Sequence, residues 1–191
     1  MTGSISTPGL VIRAGRDDDI RAVTRIYAQA VRTGTGTFDI TPPNDDGMRA
    51  RLGKVAARGH PWLVAERAGR VVGFCYAAPY KLREAYAFTV ESSIYVDEEA
   101  RRGGIGRALM AGLIEACTAA GLRQMVAVVG DSENAASIGL HRALGFEKAG
   151  RFENVGFKHG RWLDIVLMQR PLGPGGDTPP DQTARDAIKT E

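Results

Sequence analysis

The sequence predicts an α/β (α+β) fold, one domain whose central sheet carries helices on both faces. The pattern of apolar periodicity supports this directly: strand, two helices, three strands, helix, strand, helix, two strands. Length and composition agree. A chain of 191 residues suits one domain, and 43% hydrophobic with 25% charged residues is enough for a core without metal or disulfide staples. There is no internal repeat that would indicate a solenoid.

Residues 10–13 form the first strand. Asp17, Asp18 and Asp19 put acids at a helix start, where the helix dipole favours them. Ile20, Val23, Ile26, Tyr27, Ala30 and Val31 then recur at helical spacing. Beyond Pro42 and Pro43, the trio Met48, Leu52 and Val55 marks a second short helix. Residues 62–66 and 71–78 are apolar runs around a turn at 67–70, which reads as a hairpin. Residues 87–96 contain Phe88, Val90, Ile94, Tyr95 and Val96 and form the next strand. Residues 104–120 form a helix with Ile105, Leu109, Leu113 and Ala116 along one side. A strand at 124–129 and a helix at 134–144 follow, the helix stopped by Gly145. Two last strands lie within 146–157 and 162–169, joined by a turn at His159 and Gly160. The folded domain is expected to span residues 10–172. Residues 1–9 are expected to be flexible, and residues 173–191, rich in Gly, Pro and charge, to be a disordered tail.

The net charge of +3 is mild and fits an anionic ligand. Arg and Lys are interleaved with acids rather than gathered in a stripe, so no nucleic-acid partner is expected. Cys75 and Cys117 lie among apolar neighbours, without CxxC or Cys/His spacing. They read as reduced, buried thiols, and no metal is expected. The N-terminus lacks the basic start and apolar run of a signal peptide, and no apolar stretch approaches ~18 residues. Both point to the cytoplasm and away from a membrane.

The most informative segment runs from Val96 to Leu109. A strand ends, Arg101, Arg102, Gly103, Gly104, Ile105, Gly106 and Arg107 follow, and a helix begins. Glycines let a ligand approach the backbone closely, and the unpaired N–H groups of a helix start attract phosphate. A P-loop would need a Gly-Lys-Ser/Thr ending, and a Rossmann fingerprint would sit near the first strand with glycine where Leu109 stands. What remains is Arg101-x-x-Gly104-x-Gly106, or else a solvated loop at a Gly-rich helix start. The arginine-glycine pattern resembles the pyrophosphate loop of the GCN5-related N-acetyltransferase superfamily. Asn134, Ser137, His141, Gly145 and Phe146 match a second pattern of that superfamily, and 134, 137 and 141 share one helix face. The match departs at His141, where many relatives carry a tyrosine that is thought to protonate the leaving thiolate.

Longer tracts resemble the phosphinothricin and methionine sulfone or sulfoximine acetyltransferase branch. They include Pro61-Trp62-Leu63-Val64-Ala65-Glu66, the run from Ala77 to Tyr86, and Thr89-Val90-Glu91-Ser92-x-Ile94-Tyr95-Val96. Others are Val128-Val129-Gly130, Leu140-His141-x-Ala143-Leu144-Gly145-Phe146 and Lys158-His159-Gly160-x-Trp162-x-Asp164. The resemblance implies a mixed, mostly antiparallel sheet, acetyl-CoA as donor and a homodimer. It leaves the acceptor amine open.

An amine is mostly protonated near neutral pH, so acetyl transfer needs a base, a group that polarises the carbonyl and, in some cases, an acid for the thiolate. Glu91 lies within an apolar strand, where a carboxylate is costly, and it matches the glutamate regarded as catalytic in the resembling family. A strand carboxylate can also face solvent or pair with an arginine. His141 can serve as acid or base, and proton supply to the CoA sulfur is its expected role; a lone helix histidine can also be structural. The resemblance puts Lys81, Arg83, Tyr86 and Thr89 at the acceptor, where an arginine grips a carboxylate through paired hydrogen bonds. Phe38 matches a family aromatic near the acceptor and fits a core position equally well. The roles of Lys158 and His159 stay open. For acetyl-CoA, Ile94, Tyr95 and Val96 are expected to pair with the pantetheine arm like an added strand. Arg101 to Arg107 are expected to hold the pyrophosphate, and Asn134 to assist at its helix start.

The expected function is therefore acetylation of a small anionic amino-acid analogue. Acetylation of protein N-termini or other amines is the alternative within enzymes. An aminoglycoside is polycationic and would want an acidic acceptor loop, unlike one carrying Lys81 and Arg83. A CoA-binding module without turnover is the alternative outside enzymes, and retention of Glu91 and His141 argues against it.

Overall fold

The computed structural model describes residues 9–181. Seven strands form one sheet in the order β1-β2-β3-β4-β5-β7-β6. They are β1 (Leu10–Ala14), β2 (Trp62–Arg67), β3 (Arg70–Pro79), β4 (Thr89–Val96), β5 (Gln124–Gly130), β6 (Glu147–Lys158) and β7 (Arg161–Pro171). Every neighbouring pair is antiparallel except β4 with β5, so the sheet is mixed and mostly antiparallel. The helices are α1 (Ile20–Thr33), α2 (Asp45–Ala57), α3 (Ile105–Ala119) and α4 (Ala135–Ala143). The order read from the sequence holds. Two details differ: residues 84–86 wind into a single 3₁₀ turn before β4, and Cys117 rather than Ala116 completes the buried side of α3.

Strand alternation assigns the two faces. Val64, Phe74 and Tyr76 face α1 and α2, where they pack with Ile26, Tyr27, Val31, Met48 and Leu52. Cys75, Ala77, Val90, Met125, Ala127 and Val129 point the other way, onto Ile105, Leu109, Leu113 and Cys117 of α3. Both cysteines are buried and unpaired, and burial pushes the Cys117 thiol up to about 12.

Charged contacts fasten neighbouring elements to one another. Arg13 of β1 forks onto Asp19 at 2.7 and 2.9 Å and also reaches Glu66 of β2. Arg25 of α1 donates to Asp97 at 2.6 Å, tying α1 to the turn that follows β4. At the far end, Arg123 donates to the carbonyls of Gly175, Thr178 and Pro179. The expected tail from 173 therefore begins as a segment held against the start of β5. Residues 1–8 and 182–191 lie outside the described residues.

His60, between α2 and β2, is 5% exposed, and neither ring nitrogen has a hydrogen-bond partner. Burial lowers its pKa, with Arg58 adding in the same direction. The neutral ring is thus the form the fold favours, and its contribution is fully present above the unfolded value near 6.5. It is lost as pH falls below that value, because the unfolded chain takes up the proton more readily. His141 shares the sign. The buried carboxylates Asp19, Asp97 and Asp131 are shifted down and weaken the fold only at lower pH. Thermal midpoints measured between pH 7 and pH 5 should fall in the native chain and fall less in His60→Leu.

Candidate active site

A cavity of about 950 Å³ opens where β4 and β5 part. Their parallel pairing runs from Thr89 opposite Gln124 to Ser92 opposite Ala127 and stops there. Both strands continue, β4 to Val96 and β5 to Gly130, each still paired on its other edge. Along residues 93–96, the edge of β4 that faces β5 has no partner strand, and its backbone groups are open to a ligand.

Glu91 stands at the fork. It shares its strand face with Ser93 and Tyr95, and Tyr76 lies opposite Ser93 on β3, so its side chain points towards α1 and α2. No hydrogen bond or ion pair holds it among the described residues. Burial raises its pKa, and the positive charge of Lys81 opposes that rise only partly. A carboxylate of this kind accepts a proton more readily than an exposed glutamate.

His141 reaches the same cavity from the opposite face, on α4. It is 3% exposed. Nδ1 lies 2.8 Å from the carbonyl oxygen of Ser137, and a carbonyl can only accept, so Nδ1 carries the proton. Nε2 is buried without a partner and presents a lone pair. Burial lowers the pKa of the ring despite that hydrogen bond, so the neutral form prevails. The ring also meets Phe146 edge-on at 5.0 Å.

The structure gathers several expected donor residues at this cavity: Ile94, Tyr95, Val96, Arg101, Gly106 and Asn134 all line it. Asn134 caps α4 by accepting from the Ser137 amide at 3.1 Å. Gly104 adopts φ +73 just before α3, a conformation that suits glycine, and Arg102 also has positive φ. Arg102, Gly103, Gly104, Ile105 and Arg107 do not line the cavity. The Ile105 side chain is in the core, while Arg102 and Arg107 are exposed. What this stretch offers at the opening is Arg101 and, in the first turn of α3, Gly106.

Of the expected acceptor residues, Phe38 lines the cavity. Lys81, Arg83, Tyr86 and Thr89 do not. Lys81 lies over the Tyr80 ring at 5.2 Å, and Tyr80 meets Tyr86 edge-on at 5.7 Å. Thr89 lines a second hollow of about 460 Å³, bounded by Phe88, Arg123 and the segment around Thr178.

Residues 34–37 and Asp39, to which the sequence by itself gives no role, line the same cavity as Glu91. Lys158, 4% exposed, donates to the Thr37 carbonyl at 2.7 Å. Tyr27 joins Thr37 at 2.9 Å and donates to Asp39 at 2.7 Å. Arg51 donates to Asp39 at 2.8 Å. A Cβ at Gly130 would stand 2.2 Å from the Thr35 carbonyl, and one at Gly156 would stand 2.2 Å from the Phe38 ring. Glycine at both places lets the loop close on the sheet. Asp131, at φ +72, pairs with Arg161, and Asp164 gathers Ser132, Arg151 and the Asn154 amide. The Thr-Gly-Thr-Gly-Thr run after α1 was the available signal: a loop of that composition has no apolar reason to be ordered unless other elements hold it.

The description "Acetyltransferase (GNAT) family" fits residues 23–146, which span both faces of this cavity. The chain belongs to that family. As a GNAT protein it is an acetyltransferase, and relatives along nearly its full length bear N-acetyltransferase names. The phosphinothricin N-acetyltransferase of Alcaligenes faecalis is 52% identical over 170 residues, covering 89% of this chain and 86% of its own. The L-methionine sulfoximine/L-methionine sulfone acetyltransferase of Pseudomonas paraeruginosa is 41% identical over 84% of this chain and 94% of its own. A GNAT phosphinothricin acetyltransferase from Sinorhizobium meliloti, solved in complex with AcCoA, superposes with a TM-score of 0.88. It is 45% identical and covers 91% of this chain and 94% of its own. Among the described residues, no group of three or more His, Cys, Asp or Glu could hold a metal, and no helix is long and apolar enough to cross a membrane.

Proposed function

We propose that this GNAT enzyme transfers acetyl from acetyl-CoA to the primary amine of a small anionic amino-acid analogue of the phosphinothricin, methionine sulfone or methionine sulfoximine type. One observation carries the mechanism: Glu91 and His141 line a single opening from opposite faces of the sheet. The residues fit acetyl-CoA. The unpaired edge of β4 can receive an extended amide-bearing arm, and the α3 start with Arg101 and Gly106 can receive phosphate. Acetyl-CoA supplies an activated thioester carbonyl open to direct attack.

Glu91 takes the proton from the incoming amine, directly or through a water, and its raised pKa suits it to the task. Backbone N–H groups at the fork polarise the carbonyl. His141 stands on the sulfur side. Because Nδ1 holds the ring proton, Nε2 begins as an acceptor and must gain a proton before it can donate one. Lys81, whose field reaches Glu91, and Arg83 guide the approaching anionic acceptor from outside the cavity lining, and Phe38 stands against its body. The exposed side chains Phe152, Val155, Phe157 and Trp162 of β6 and β7 support a homodimer. Two buried unpaired thiols and acetyl-CoA as donor support a cytoplasmic setting.

The test is free-thiol release from acetyl-CoA with phosphinothricin, methionine sulfone, methionine sulfoximine and kanamycin. Release with the amino-acid analogues is expected. Release with kanamycin alone would overturn the anionic acceptor. Binding of acetyl-CoA without release would favour a protein terminus, another amine or a module without turnover.

A further inference from the structure

Arg51 belongs to α2 and lines the acceptor half of the cavity, on the sheet face where Glu91 points. Its guanidinium lies over the Tyr27 ring at 4.9 Å from the centroid, and one of its nitrogens donates to Asp39 at 2.8 Å. The side chain is 34% exposed, enough to meet a ligand from within the cavity. Asp39 cannot neutralise its surroundings alone. It also takes the Tyr27 hydroxyl at 2.7 Å and faces buried Lys158, so one carboxylate stands against two cations. An arginine carries five N–H donors, and bonds to Asp39 and to the Tyr27 hydroxyl leave others for another acceptor. The ring beneath holds the guanidinium plane in place. Lys81 and Arg83, by contrast, sit outside the cavity lining.

We infer that Arg51 is a specificity-determining residue that binds an oxo group of the acceptor, a carboxylate or a sulfone, inside the cavity. The inference rests on the anionic-acceptor function proposed above. An amino-acid sulfone offers two such groups, the anionic carboxylate and the neutral sulfone oxygens, both hydrogen-bond acceptors.

Steady-state kinetics of Arg51→Met and Asp39→Asn test it, with thermal midpoints as the check on folding. Three acceptors are needed: methionine sulfone, the sulfone amine that lacks the carboxyl group, and norleucine, which lacks the side-chain oxygens. In Arg51→Met the KM for methionine sulfone should rise about 10-fold or more, the range for losing a charged hydrogen bond, while the KM for acetyl-CoA stays within about two-fold. Asp39→Asn should not raise it, because the competing carboxylate is gone. If the rise vanishes with the amine, Arg51 holds the carboxylate; if it vanishes with norleucine, it holds the side-chain oxygens. An equal rise with all acceptors, or the same rise in Asp39→Asn, means that Arg51 only braces the loop and overturns the inference. No rise at all also overturns it. A native enzyme silent with methionine sulfone and norleucine alike would sink the proposed function itself, and the role of Arg51 with it.

Discussion

Glu91→Gln is expected to lower kcat/KM for the acceptor amine by about 10²–10⁴-fold, the usual contribution of a positioned general base. The substitution keeps size and hydrogen-bonding shape and removes only the proton acceptor. The acetyl-CoA contacts proposed along β4 and the α3 start do not involve this side chain, so a direct binding measurement should give an affinity close to that of the native enzyme. The pH profile carries more information. Burial raises the Glu91 pKa, with Lys81 opposing, so the acidic limb of kcat/KM should lie above the ordinary glutamate value. Activity rises with pH through that limb because the base must be unprotonated. In the Gln variant the limb should disappear, leaving the rise due to the amine itself. Unchanged activity in this variant would remove Glu91 from the mechanism.

Gly130→Ala is expected to be the most damaging single-methyl change near the site. Its Cβ would meet the Thr35 carbonyl at 2.2 Å and the Phe38 ring at 3.1 Å. A carbonyl of a loop held by Lys158, Tyr27 and Asp131 cannot swing aside as a flexible side chain would. Overpacking of this kind costs about 1–3 kcal/mol, and a chain of this size loses about 2–4 °C of midpoint per kcal/mol. Because the displaced loop lines the same cavity as Glu91, the acceptor KM should rise as well. Gly139→Ala is the matched control. Gly139 lies on the exposed side of α4 with open space around it, and alanine there should raise the midpoint slightly through helix propensity. Equal midpoints for the two variants would show that the loop yields without cost.

Much of this was legible from residue order, since strand and helix periodicities are local. The β2–β3 hairpin, the α3 start after Arg101-x-x-Gly104-x-Gly106 and the Asn134 cap of α4 follow from patterns within about twenty residues, where spacing and backbone geometry act together. Glu91 was legible for a related reason: a charge inside an apolar strand must be either costly or useful. The loop at 34–39 was not. Its partners Lys158 and Gly156 of β6, Gly130 of β5 and Arg51 of α2 come from three other parts of the chain, and none of them carries a local sign that it touches Thr35, Thr37, Phe38 or Asp39. Nor could periodicity foretell which way His141 turns its proton, because that depends on a carbonyl one helical turn away.

The sequence by itself determined the class of fold, the order of its elements and the residues that bear charge or glycine at the loop before α3, because each follows from short-range periodicity and backbone preference. Only the tertiary structure decided that β4 and β5 part after Ser92 and Ala127, that Glu91 and His141 meet the opening from opposite faces, and that Arg51 stands inside it while Lys81 and Arg83 stand outside. Those outcomes depend on long-range packing of two helical layers against one sheet, and no stretch of chain contains them.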